Sequence, residues 1–275
     1  MLINMFCDPR RYNIMEQLQT VPFGSVAGML FSMLISFLVP LGLAAALWRK
    51  EKASWFSYAA GMTVFILFAM FLESMAHAVI LTATGSLITG NLLLYALYGG
   101  LMAAAFEECG RLVAMRFVLR RHQTKQNALM YGVGHGGTEA MLILGLTSLN
   151  NFINSTMINS GTMEGTLASL DDATRQMVSQ SFIALWETPS YLFFVAGYER
   201  LVTMALHIAL SVLVYRAVKD KTARWFWATF GAHFAADFVA VLLSGVSVVL
   251  TEAVFTVITA GVVWYAAKAY REAAE

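Results

Sequence analysis

Charge is scarce in this sequence. Only 13% of its 275 residues are Asp, Glu, Lys or Arg, while 59% are hydrophobic; a soluble domain carries roughly 25% charge. That deficit excludes a soluble core as the main sink for the apolar side chains. Charge of one sign is lacking as well. The formal net charge is +1, which leaves no electrostatic footprint for a nucleic-acid partner. Cysteine is almost absent. Cys7 sits in a polar N-terminal segment and Cys109 in an apolar run, a placement that implies no disulfide framework. Residues 1–20 hold Asp8, Arg10, Arg11 and Glu16 and no continuous apolar stretch behind a basic start. No cleavable signal peptide is therefore expected, and the first spanning helix directs insertion. The chain also lacks a 20–50-residue repeat and any low-complexity segment.

What fills the chain instead is apolar runs of membrane length. A spanning helix needs about 20 mostly apolar residues, and seven segments qualify: 26–48, 56–81, 92–119, 128–149, 199–218, 222–244 and 246–268. Segment 150–198 is polar at first and amphipathic from Val178 to Tyr198, with Pro189 interrupting it. It reads as an interfacial or re-entrant helix. The sequence thus predicts an all-α polytopic membrane helix bundle of about seven transmembrane helices plus an interfacial helix. It is expected to form a single integral membrane domain over 1–275, with a catalytic core at about 92–244. Lysine and arginine orient such a bundle. Arg49, Lys50, Lys52, Arg120, Arg121, Lys125, Arg216, Lys219, Lys221, Arg224, Lys268 and Arg271 all fall at one set of helix ends, and the opposite connections hold only Arg175. The expected topology has the N-terminus outside and the C-terminus in the cytoplasm, with Arg10 and Arg11 running against it.

Ionisable residues inside the spans stand out, because each costs roughly 2.5–3.5 kcal/mol at the centre of a membrane helix. The third span carries Glu107, Glu108 and Arg111, the fourth His135 and Glu139, the fifth His207, and the sixth His233 and Asp237. Counted from the cytoplasmic ends, Glu108, Glu139, His207 and His233 each lie 11 residues in, His135 lies 7 in and Asp237 lies 15 in. At 1.5 Å per residue these groups share one layer, roughly 10–23 Å from the cytoplasmic surface. Glu107 and Arg111, His135 and Glu139, and His233 and Asp237 are each four apart and share a helix face. Three histidines with carboxylates match the ligand inventory of a catalytic zinc site. A further glutamate can accept a proton from metal-bound water, as in HExxH proteases. Bland readings exist beside these. Glu108 and Arg111 can be a buried pair that only locks helices. Gly132, Gly134, Gly136 and Gly137 can serve close packing or admit a substrate backbone to His135. Glu73 and His77 lie nearer the outer face and read as structural or cavity-lining.

At FEECGR (106–111), YGVGH (131–135) and HFAAD (233–237) the chain resembles the YhfC-type intramembrane metalloproteases, which sit with the CAAX-processing, bacteriocin-processing and PrsW-type membrane proteases. Glu107, Glu108 and Arg111 match the paired-glutamate motif. Tyr131 and His135 match an aromatic residue four before a histidine. His233 and Asp237 match the late HxxxN or HxxxD, and His207 matches a further histidine on the intervening helix. CAAX-type enzymes commonly have three residues between Glu and Arg, a spacing that holds here only from Glu107; they carry Asn where this chain has Asp237.

The resemblance implies a membrane-embedded peptidase that cleaves a membrane or membrane-associated protein or peptide in or near the cytoplasmic half of the bilayer. His135, His207 and His233 would bind a divalent metal, zinc by its ligand set. Glu139 would be a further ligand or would support one, and Arg111 would keep one glutamate of the pair ionised. Either Glu107 or Glu108 is the general base, depth favouring Glu108. In a metal-free version the histidines stabilise the oxyanion instead. Two other classes remain on the sequence alone: a proton or cation transporter using an intramembrane Glu/His relay, and a catalytically inactive scaffold.

Overall fold

The computed structural model describes residues 20–273; Cys7, Asp8, Arg10, Arg11 and Glu16 lie outside the described residues. Within them the chain runs as helices: α1 (Phe23–Glu51), α2 (Trp55–Thr84), α3 (Leu92–Val118), α4 (125–159), α5 (Met163–Ala168), α6 (Asp172–Glu187), α7 (Ser190–Lys219), α8 (Ala223–Ser244) and α9 (Val248–Glu272), with a single helical turn at Ser86–Thr89. No strand occurs among the described residues. Side-chain caps fix several starts. Asn91 accepts from Leu94 N–H, Thr124 from Asn127 N–H, Asp171 from Thr174 N–H and Ser247 from Leu250 N–H, each satisfying an otherwise orphaned donor of a first turn. Cys109 is a free, exposed thiol on α3.

Six of the described helices (α1, α2, α3, α7, α8 and α9) are long and apolar enough to cross a membrane, so the protein is an all-α polytopic membrane bundle. The fourth expected span, 128–149, falls inside α4, which is not one of the six. Its glycines, His135 and Glu139 dilute its apolarity. The physical reason it tolerates them is burial: every residue from Met130 to Ala140 is buried. A helix surrounded by protein needs no lipid-facing apolar surface.

The amphipathic stretch expected over 178–198 divides at Pro189. α6 stops at Glu187 and α7 begins at Ser190. Proline lacks the N–H that a continuing helix would need and disfavours helical backbone in the residue before it, so it ends one helix and opens the next. α7 is consequently 30 residues long and starts nine residues before the expected 199.

The chain divides into two compact units. The described part of the first is 20–34 with 144–198. Its core gathers Val21, Met29, Ile158, Met163, Leu167, Phe182 and Leu185. Asn159 ties down the entry to α1, accepting from Val21 N–H at 2.7 Å and donating to Val21 O at 3.1 Å.

The described part of the second unit is 35–143 with 199–273, and it contains every residue singled out within the spans. Its helices approach to backbone contact at glycines. A Cβ on Gly61 of α2 would run into the Tyr131 carbonyl of α4, and one on Gly134 of α4 into the Tyr58 carbonyl of α2. The glycine run 132–137 is thus filled by neighbouring helices, which favours the packing reading. Three stretches widen into π-helical turns: Phe65–Glu73 in α2, Ala114–Val118 in α3 and Ala140–Gly145 in α4. The first ends on Glu73 and the third begins directly after Glu139. Such turns re-aim side chains and gather at functional sites.

Adjacent glycines on α3 test the close approach. A Cβ on Gly100 would lie 2.8 Å from Phe234 O and 3.0 Å from Phe238 N of α8, whereas one on Gly99 would meet nothing within 4 Å. Gly100→Ala is expected to destabilise by about 1–3 kcal/mol through overpacking. Gly99→Ala is expected to be neutral or stabilising by up to about 1 kcal/mol, from helix propensity. Thermal unfolding of the detergent-purified variants reads the difference, and equal effects would contradict the α3–α8 backbone contact.

Candidate active site

Four helices deliver the predicted residues to one place in the second unit. α3 brings Glu107, Glu108 and Arg111; α4 brings His135 and Glu139; α7 brings His207; and α8 brings His233 and Asp237. One atom sits among the imidazoles. Glu107 Oε2 lies 2.8 Å from His135 Nε2, 3.7 Å from His207 Nδ1 and 3.9 Å from His233 Nε2. The His135 and His207 ring centres are 4.9 Å apart, and those of His207 and His233 are 5.4 Å apart. All three histidines are buried. Phe65 meets His135 edge-on and Tyr131 lies against its ring, fixing the plane in which His135 faces Glu107.

The two adjacent glutamates do different things. Neighbouring positions on a helix do not share a face, so Glu107 turns toward a cavity and Glu108 away from it. Glu108 is 0% exposed. Its Oε2 lies 3.2 Å from Arg111 Nε and its Oε1 accepts from His233 Nδ1 at 2.7 Å. Depth along the helix favours Glu108 as the base, but the structure puts Glu107, not Glu108, on the cavity wall. Depth cannot separate residues one position apart; rotation about the helix axis does.

Arg111 is likewise 0% exposed. It donates from Nη1 to His207 O (2.7 Å) and Ser211 Oγ (2.6 Å), and from Nη2 to His207 Nδ1 (3.0 Å). A guanidinium only donates, so Nδ1 of His207 is held as the acceptor.

Of the three pairs spaced four apart, only His233 and Asp237 interact directly, with Nε2 and Oδ2 3.2 Å apart. Arg111 pairs with Glu108 at i,i+3 rather than with Glu107. His135 turns to Glu107, and Glu139 goes elsewhere: its Oε1 accepts from Arg200 Nη1 at 2.8 Å and its Oε2 lies 2.8 Å from His207 Nε2. Arg200 also pairs with Glu199.

Sequence reading missed Arg200, Glu199 and Glu252. The signal was present, since Arg200 and Glu199 stand in an apolar helix, but a helix started at 199 puts them at its mouth. With α7 starting at Ser190 they lie well inside it. Glu73 and His77 form a separate group, with His77 Nε2 3.1 Å from Glu73 Oε1 and Nδ1 2.7 Å from Tyr98 Oη.

A cavity of about 430 Å³ adjoins this cluster. Its polar wall is Glu107, Glu139, Arg200, His207, His233 and Asp237, and its apolar wall includes Leu206, Val241 and Phe255. The donor set fits a metal. Ligand atoms of Glu107, His135 and His207 all lie within 4.8 Å of one another. His135 Nδ1 is buried without a hydrogen-bond partner. Imidazole and carboxylate together suit zinc and its first-row neighbours.

Comparison with known proteins gives the family of the chain. The profile of the family described as YhfC intramembrane metalloprotease matches residues 35–268. The uncharacterized membrane protein YhfC of Bacillus subtilis (strain 168) is 40% identical over 193 residues, covering 68% of this chain and 72% of the relative. No solved structure matches.

The buried guanidinium gives a stability test. Arg111→Ala strands the Glu108 carboxylate, and breaking a buried pair costs about 3–5 kcal/mol. Arg111→Lys restores charge but not the forked geometry that reaches Glu108, His207 and Ser211 together. The expected order of thermal stability is wild type, then Arg111→Lys, then Arg111→Ala. Wild-type stability in Arg111→Ala would contradict this role.

Proposed function

Since the chain belongs to the YhfC family of intramembrane metalloproteases, we propose that the cavity is a peptidase centre in which Glu107 activates water for attack on a peptide bond. The observation that carries this reading is the position of Glu107 Oε2. It is a carboxylate oxygen on the cavity wall, within 3.9 Å of three imidazole nitrogens on three helices. General acid–base chemistry needs its acceptor within reach of the proton it takes, and this is the carboxylate that the four helices converge on.

His135, His207 and His233 would hold a divalent cation at this point, with Glu107 beside it. When bound, the cation supplies a Lewis acid and brings the pKa of its water to about 7. The remaining work belongs to the chain. Glu107 accepts a proton from water and returns it to the departing amine. Glu108, between Arg111 and His233 Nδ1, orients the His233 ring as carboxylates behind metal-bound histidines do. Arg200 holds Glu139 against the His207 edge. Asp237 stands at the other nitrogen of His233 and limits its rotation. In a cation-free centre His135, whose Nε2 faces Glu107, would be the imidazole placed to donate an N–H bond to the oxyanion.

Two measurements test the reading. Glu107→Gln keeps shape but removes the proton acceptor, so cleavage of a transmembrane substrate is expected to fall by about 10²–10⁴-fold with folding retained. Glu108→Gln is expected to lose thermal stability instead. Elemental analysis of purified protein is expected to find one divalent ion per chain, lost in His135→Ala. Wild-type cleavage in Glu107→Gln would end the proposal. Ion flux in proteoliposomes without proteolysis would favour the transport class, and neither proteolysis nor flux would favour the scaffold.

A further inference from the structure

We infer that the cavity is entered from the side of the membrane opposite the basic loops, so that it receives a segment of a membrane-anchored chain lying at the extracytoplasmic surface. Naming that segment a substrate rests on the peptidase reading; the direction of access does not.

The cavity has a buried floor and an exposed mouth, and both can be placed along helices of the second unit. Its floor is at Leu206 and His207 on α7 and His233 on α8, all buried. From there its lining runs up α8 to Ser244, the last residue of that helix, and crosses to Val248, the first residue of α9. Ser244 is exposed and Val248 is 40% exposed. His233 to Ser244 is 11 residues, or roughly 16 Å of helix, so the cavity rises from mid-helix to the α8–α9 turn.

The opposite ends of the same helices carry the positive charge. Arg216, Lys219, Lys221 and Arg224 flank the α7–α8 turn, and Lys268 and Arg271 close α9. Clustered Lys and Arg mark the cytoplasmic side, which assigns the α8–α9 turn to the other face.

Among the described residues the basic side is closed at the level of the site. Below the site, Arg111 has no exposure, and Met115, Leu119, Ala128, Val214 and Tyr215 form a closed apolar cluster. The void at that level, lined by residues that include Met115, His122 and Asn127, holds about 10 Å³, room for a single water. A larger depression of about 500 Å³ at the α1–α2 turn is lined only by residues 48–55 and includes no site residue. Depth within the helices left the approach open and the cytoplasmic half was the sequence expectation; the cavity points the other way. Its walls also define what enters. Leu206, Ala240, Val241 and Phe255 offer apolar surface opposite the polar group, which fits an extended segment with apolar side chains facing away from the chemistry.

Thiol accessibility in membrane vesicles of defined orientation tests this without a substrate. In a Cys7→Ser, Cys109→Ser background, Ser244→Cys samples the mouth, and Thr251→Cys and Thr203→Cys sample two walls of the interior. Lys221→Cys marks the basic side. A membrane-impermeant charged maleimide is expected to label Ser244→Cys and at least one interior position only from the extracytoplasmic face, and Lys221→Cys only from the cytoplasmic face. Interior labelling from the cytoplasmic face alone would overturn the proposal. So would no interior labelling from outside while Ser244→Cys reacts there, or a Lys221→Cys that reacts from outside. A protein that labels as expected but cleaves nothing would retain the access direction and remove the peptidase reading.

Discussion

A guanidinium shut off from water must be met on all sides by acceptors, and Arg111 is the group around which the second unit is arranged. Moving such an ion out of water carries a penalty of several kcal/mol even after the protein relaxes. Three helices supply what offsets it: Glu108 from its own helix α3, and the His207 carbonyl, His207 Nδ1 and Ser211 hydroxyl from α7, with His233 of α8 completing the coordination of Glu108. The arrangement fixes more than packing. It pins one nitrogen of His207 as an acceptor and hands His233 a carboxylate on Nδ1. It also leaves Glu107, one position earlier, as the carboxylate that faces the cavity. The ion pair and the chemistry are thus one object seen from two sides of α3.

How much of this was legible in the sequence follows from what each signal measures. Hydropathy reports contact with lipid, so it picks out α1, α2, α3, α7, α8 and α9 most strongly, while α4, whose centre meets protein, falls short by the same measure. Depth reports height along a helix, so it placed the intramembrane histidines and carboxylates in one layer and identified the eight residues that meet there. It carries no information about rotation, which is why it could not separate Glu107 from Glu108 and why spacing of four did not predict the partners of His135, Glu139 or Arg111. Those side chains are turned by contacts from other helices. The loss of Arg200 was an error of boundaries. Pro189 separates two helices instead of interrupting one, so Arg200 lies ten positions into α7 and not at its mouth.

The polar layer and the glycines belong together. Glycine removes the side chains that would keep α2 and α4 apart, so the Tyr58 and Tyr131 carbonyls can sit where a methyl would otherwise stand. This close spacing is what brings His135 to the Glu107 carboxylate of α3 while shutting lipid out of the centre. Small residues let membrane helices associate by van der Waals contact where no hydrophobic force acts between them. The same residues make α4 poor in the apolar surface that a bilayer recognises.

That last property bears on how the protein is made. A segment enters the bilayer from the ribosome according to its own apolar content, and the ionisable groups of α4 weigh against it. The partners that make His135 and Glu139 tolerable include Glu107, already synthesised, and His207 and Arg200, which follow some 60–70 residues later. For an interval of synthesis the central helix therefore has Glu107 and none of the α7 groups that meet Glu139. The ion pairs and hydrogen bonds that bury His135 and Glu139 are complete only once α7 has been made.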